Sequence, residues 1–443
     1  MANTSPTPAT RVRRRQSRRT CSGLTALLAG LLLAPAAARA GDWPGWRGPT
    51  AQGHTDEKGL PLTWDGKTGK NVLWKVLLHG GVKNNPEMNS PGWSSPIVWG
   101  DRVLITTAVW PAGLSREERR KVIPAHHVLC YRARDGEQLW DTVVPPGKCL
   151  VDNHYHGYAV PTPVTDGRRV FALFGSGVLA ALDLDGRIVW REEIPRRKDV
   201  DGGVCSSPVL YKDSVIVVGI AESPLRALDT RTGKVKWELK GRASNRMATP
   251  ALLTVRGRTQ LIHLAGGVQG IDPDSGEVLW SCRAPSGQSS PVFGAGLVYV
   301  DHGRGGREGA AVDPAGRGDV SKTNVRWQTK VTAPAGSSGI VVGDYLYRAC
   351  DGEVLRCWKM ATGELVYEER LPRISPGASP IATPDGRIYF ASPGRSYVVK
   401  AGPQFETLAK NDLGEGDPYT TPAVSGGRIF IKGRNYLWCI GAR

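Results

Sequence analysis

Apolar and polar residues alternate along most of the chain in runs of five to seven, the period of a half-buried strand. The runs recur in a fixed order. Each unit opens on a small-residue pair, a proline and a short apolar run, as in WSSPIVWGDRVLITT, CSSPVLYKDSVIVVG, QSSPVFGAGLVYV and GASPIATPDGRIYFA. The marker prolines are Pro96, Pro163, Pro208, Pro250, Pro291, Pro380 and Pro422, and Gly339 holds the same place in GSSGIVVGDYLYRA. Successive gaps are 67, 45, 42, 41, 48, 41 and 42 residues. A second pattern closes the unit: an alternating strand, a turn rich in Asp, Thr and Gly, and a strand ending in an aromatic residue. It reads ALDTRTGKVKW from Ala227 to Trp237, with variants ending at Trp140, Trp190, Trp280 and Tyr367.

Eight units at a period near 42 predict an all-β, eight-bladed β-propeller of four-stranded antiparallel blades. The turn residues supply the positive φ of a tight hairpin. Trp74, Trp140, Trp190, Trp237, Trp280 and Trp327 fall on outermost strands, where they are expected to dock between neighbouring blades. Two fragments are incomplete alone. Residues 71–78 (NVLWKVLL) form an outer strand with no inner strands before it, and residues 419–440 supply three strands and then stop. Pairing the first with the second closes the ring and removes the open sheet edges.

The A-x-D-x-x-T-G-x-x-x-W pattern of ALDTRTGKVKW is similar to the repeat of PQQ-binding-like, or quinoprotein-like, β-propellers. The segment WPGWRGP, followed by LPLTWDGKTGKNVLWKV, looks like the leading segment of secreted bacterial members. The resemblance spans residues 41–443 as a single propeller and implies a fold more firmly than a function. Relatives include quinoprotein dehydrogenases and non-catalytic BamB-like members. In the dehydrogenases PQQ lies on the axis with a calcium held by Glu and Asn, an Asp acts as base, and an adjacent Cys-Cys pair caps the quinone. This chain has no adjacent cysteine pair, no C-x-x-C-H haem motif and no set of Glu, Asn and Asp that aligns convincingly. The expectation is therefore a non-catalytic scaffold for a protein or ligand. The alternative is a PQQ- and calcium-dependent dehydrogenase oxidising alcohols or sugars, and a carbohydrate-associated protein is a third reading.

Charge and targeting place this propeller. Residues 1–40 read as a signal peptide: Arg11 to Arg19 are densely basic, Leu24 to Ala37 are apolar, and Ala38-Arg39-Ala40 is a cleavage site. Cleavage near Ala40 implies an exported protein, periplasmic or extracellular, with no transmembrane segment in the mature chain. The first forty residues carry seven arginines and no acid, so the remainder holds 51 basic against 41 acidic residues, without a Lys/Arg run that suggests nucleic acid. A monomer is expected. Seven cysteines remain after cleavage, none in a C-x-x-C pair, and they read as single cysteines buried on strands.

Strands that run from the axis to the rim place the loops between blades, and those between second and third strands, on one face. Several polar groups map there: Asn153, His154, His156, Asn245, Arg246, Asp301, His302 and Arg304, with His126, His127, His263, Arg395 and Arg434. Asp152, His154 and His156 could hold a metal if their segment were a strand. Otherwise they form a polar loop bonded locally. The Arg/His bias favours a small anionic ligand. A charged insertion at about residues 111–125, containing GLSREERRK, explains the 67-residue gap and suggests a short surface helix.

Overall fold

Each unit folds into one antiparallel sheet whose strands, here a to d, run from the axis to the rim. The computed structural model describes residues 1–2, 41–78, 92–151, 157–195, 203–219, 224–241, 247–302, 308–330, 336–374, 377–416 and 420–442. These residues form eight sheets, the blades. Blade 3 shows the plan: Val209–Tyr211, Ser214–Val218, Leu225–Asp229 and Val235–Leu239. Its strand b is buried at every position because neighbouring blades cover both faces. That is why SVIVV is continuously apolar apart from its leading serine, whereas the rim strand VKWEL alternates.

The outer hairpin is built by side chains. Asp229 Oδ1 accepts from the Arg231 and Thr232 N–H groups and from the Thr232 hydroxyl, at 3.0, 2.9 and 2.9 Å. A register irregularity then falls between Ala227 and Leu228, and the corresponding pairing is irregular in every other blade. Such a bulge re-aims the side chains beside it. Trp237 is turned onto blade 4, where Nε1 donates to the Pro273 carbonyl at 3.0 Å. Its ring covers Gly276, which has φ +78° and where a Cβ would stand 2.6 Å from the indole. Trp74, Trp140, Trp190 and Trp327 donate in the same way to Ala133, Leu184, Thr230 and Met360 of the following blade.

Trp280 differs. It is fully buried, and its Nε1 donates to Gln260 Oε1 of its own blade at 2.6 Å. The following blade offers it a longer connection in place of the tight turn. Residues Gly318–Asp319 of that connection pair parallel to Val278–Cys282, so blade 4 has a fifth strand that the repeat spacing did not suggest.

The ring closes as the incomplete fragments predict. Val72–Leu77 pairs antiparallel with Tyr436–Ile440, setting Trp74 opposite Cys439 and Leu77 opposite Tyr436. One buried cluster joins Val72 and Leu78 to Phe430 and Cys439 of blade 8 and to Val103 and Leu129 of blade 1. Six of the seven cysteines after position 40 are buried, and Cys149 is half-buried. The charged insertion contains one helical turn, Arg116–Arg119, capped by Ser115 and Glu118 bonding each other's backbone. Among the described residues no helix is long and apolar enough to cross a membrane.

Candidate functional site

The residue before each marker proline has a specific task. Each is a serine or threonine, and its hydroxyl accepts a hydrogen bond from the backbone N–H of its counterpart in the adjacent blade. The sequence Ser95, Thr162, Ser207, Thr249, Ser290, Ser338, Ser379, Thr421 and back to Ser95 forms a closed circuit of eight bonds, each 2.9–3.2 Å. A following proline has no N–H of its own, so the preceding N–H and hydroxyl are the polar groups that can tie adjacent blades together at this level. The "small-residue pair" of the sequence is therefore a ring of hydroxyls about the axis.

The leading segment lies across the axis on the face of the a–b turns. Trp43 bridges Val98 of blade 1, and the Pro44 carbonyl accepts from Thr165 N–H of blade 2 at 2.8 Å. Gln52 Oε1 accepts from Phe293 N–H of blade 5 at 3.1 Å, and Arg47 Nη2 donates to the Gly339 carbonyl of blade 6 at 2.6 Å. Gly53 and Thr55 exchange backbone bonds with Ala382 of blade 7. Glu57 accepts from Gly426 and Gly427 N–H of blade 8 at 2.7 and 2.8 Å. On the remaining side, Trp46 and Pro49 face Val209, Leu210 and Leu252 of blades 3 and 4 across an apolar cavity of about 320 Å³. The segment thus plugs the turn end of the axis.

Several buried ionisable groups lie near this core. Asp301 and Arg348, from the b strands of blades 5 and 6, form a fully buried pair with Nε–Oδ2 at 2.9 Å and Nη2–Oδ1 at 3.3 Å. Arg348 also donates to Ser337 and Ser289 hydroxyls at 2.6 and 2.7 Å. Lys432 of blade 8 donates to the Gly92 carbonyl at 2.7 Å and to Ser94 Oγ at 3.2 Å, and burial lowers its pKa to about 7. His263 is fully buried and burial lowers it to about 4, so it is neutral at physiological pH.

Of the face residues singled out in the sequence, Asp152, Asn153, His154, His156, Asn245, Arg246 and Arg304 lie outside the described residues. Asp301 points inward to Arg348. His302 is half-buried at the end of the same strand. His126 is buried, stacked on Phe174 with centroids 4.5 Å apart and bonded to Ser176 Oγ at 2.8 Å. Burial, with Arg191 and His127 nearby, takes His126 down to about 3. His127 Nδ1 meets Asp141 Oδ1 at 2.8 Å, and Arg395 lies 3.6 Å from Asp412. The hydroxyl ring, Arg47 and Lys432 were not picked out as site residues.

A family model described as outer membrane protein assembly factor BamB matches residues 52–197 and 124–366. The chain belongs to this BamB-like, PQQ-repeat family. Within it, outer membrane protein assembly factor BamB of Yersinia pestis is 26% identical over 183 residues, covering 38% of this chain and 44% of that protein. Quinohemoprotein alcohol dehydrogenase ADH-IIG of Pseudomonas putida is 25% identical over 203 residues, covering 38% of this chain and 28% of that protein. The chain thus matches less than half the length of these curated relatives. The solved structure of BamB from Moraxella catarrhalis superposes with a TM-score of 0.58 at 14% identity, covering 84% of this chain and 97% of that one. The computationally designed Ika8 protein gives 0.53 at 11% identity, covering 80% and 98%. At these identities the superpositions speak for the fold alone.

The quinoprotein relatives raise the question of PQQ and calcium. Asp301 is the buried carboxylate of the b strands, and both its oxygens are engaged by Arg348. Among the described residues no three His, Cys, Asp or Glu side chains come together to hold a metal. The donor set among the described residues does not fit a calcium-bound quinone.

Proposed function

We propose that this BamB-like propeller is an exported, non-catalytic scaffold that presents its loop face to a protein partner. The observation that carries this reading is the occupation of the axis. The plug covers one end, the ring of hydroxyls bonds blade to blade, and the axial carboxylate is bound within an internal ion pair. Binding therefore falls to the connections on the opposite face, which include the blade 1 insertion. The family model named for an assembly factor supports the same reading. The signal-like residues 1–40 support export to the periplasm or cell exterior.

The test is site-specific photo-crosslinking in the native envelope. A photoreactive residue at Glu117, on the insertion, should give a discrete protein adduct. One at Asp344, on an a–b turn of the opposite face, should give none. Equal labelling at both positions, or none at either, would refute a loop-face scaffold. Reconstitution with PQQ and calcium followed by a dye-linked alcohol assay tests the catalytic alternative, and turnover above background would replace the scaffold reading.

A further inference from the structure

Arg47 is the residue of the plug whose chemistry the fold leaves incomplete. Its side chain is fully buried. Nη2 donates to two carbonyls, Gln52 at 2.8 Å and Gly339 at 2.6 Å. Nε and Nη1 are buried with no hydrogen-bond partner. A guanidinium carries five N–H donors, so three of them, one on Nε and two on Nη1, have nothing to bond. The flanking Trp46 ring, 5.6 Å from Cζ, offers only a weak π contact.

The charge is uncompensated as well. No carboxylate lies within ion-pair distance of Arg47 among the described residues; the charged group that acts on it is another cation, Arg348, and the neighbouring His54 is pushed toward its neutral form by burial and by Arg47 itself. Gly339, whose carbonyl Arg47 caps, is crowded within its own blade: a Cβ there would lie 3.0 Å from the Tyr347 carbonyl oxygen and 3.1 Å from Leu346 Cδ1, tight contacts that favour glycine at this place in the repeat. Arg348 is neutralised by Asp301, which leaves the cluster with one net positive charge. Lys432 meets the same difficulty differently, because an ammonium can shed its proton. Burial and Arg348 bring Arg47 down only to about 9, so it stays charged at neutral pH. A water molecule could accept a proton from Nη1 but would not balance the charge, whereas a small anion does both.

We propose that the plug encloses a monovalent inorganic anion, of the halide class, bound to the free N–H groups of Arg47. The ion locks the leading segment beneath blade 6 and completes the axial charge balance. The site is independent of the loop-face scaffold and of any partner.

Crystals of the full chain grown in sodium bromide and measured at the bromine edge test this directly. An anomalous peak is expected within about 3.5 Å of Arg47 Nη1 or Nε, a normal distance for a charge-assisted contact with a large halide. The melting temperature should also rise when chloride replaces gluconate at constant ionic strength. The rise should be about 2 °C once chloride exceeds its dissociation constant about tenfold. In Arg47→Gln that chloride dependence should vanish. An anomalous map with no peak beside Arg47 overturns the proposal, as does an equal chloride response in Arg47→Gln and the parent chain. If the variant does not fold, the bromide map of the parent chain decides alone.

Discussion

Replacing Lys432 by methionine should stabilise the propeller, by an amount that depends on pH in a calculable way. Lys432 is fully buried and its pKa falls from 10.5 to about 7 by burial alone, with no charged partner contributing. Between those values the unfolded chain holds a proton that the folded chain has released, so stability rises with pH across this window and the burden is greatest at pH 7 and below. A shift of about 3.5 units at about 1.4 kcal/mol per unit sets that burden near 5 kcal/mol as an order of magnitude. Methionine has similar length and no charge, but it leaves the Gly92 carbonyl and Ser94 hydroxyl without their donor, at about 1–3 kcal/mol. The net gain expected for Lys432→Met is about 2–4 kcal/mol at pH 6.5. Urea denaturation of both proteins from pH 6.5 to 8.5 measures it. The advantage should shrink by about 1.4 kcal/mol per pH unit above pH 7 as the parent lysine becomes neutral. A difference that is constant with pH, or a variant less stable at pH 6.5, would refute the reasoning.

Three further outcomes follow from the packing. Asp301→Asn removes the counter-charge of a fully buried arginine, and chemical denaturation should show a loss of about 3–5 kcal/mol. Trp237→Ala opens a cavity between blades 3 and 4 and strands the Pro273 carbonyl, so the denaturation midpoint should fall by the equivalent of about 3–5 kcal/mol. A chain lacking residues 41–78 keeps three strands in blade 8 with one edge open, and size-exclusion chromatography should show it associating or aggregating where the full chain does not.

The repeat was legible because two local signals coincide at each unit. The proline marks the start of strand a, and the Asp-Thr-Gly turn with its tryptophan marks the outer hairpin. The turn depends on contacts within a few residues, such as those of Asp229 with Arg231 and Thr232. The closing strand was legible for a related reason, since an outer strand without inner ones needs a sheet to join. What escaped depends on neighbours far apart in sequence. Asp301 reads as a loop-face ligand until Arg348, on the next blade, is seen to hold it. Serine before proline reads as small until the preceding blade presents its N–H. Arg47 sits inside WPGWRGP, which carries no periodicity and so gave no strand, yet that stretch and the residues up to Glu57 contact blades around the whole ring. The fifth strand of blade 4 arises from a long connection in blade 5, and a repeat alignment has no place for it.

Closure by Val72–Leu77 has a kinetic consequence. During synthesis this strand leaves the ribosome long before its partner Tyr436–Ile440, because the whole of blades 1 to 7 lies between them in the chain. The plug is in the same position, because it needs carbonyls and N–H groups from blades 5 to 8. The middle blades can assemble from local hairpins while both ends of the ring wait, one with an unpaired strand and the other with an exposed sheet edge. The slow step of folding should therefore be a loop closure spanning nearly the whole propeller, and the period before it is when the chain is most open to adding strands from a neighbour.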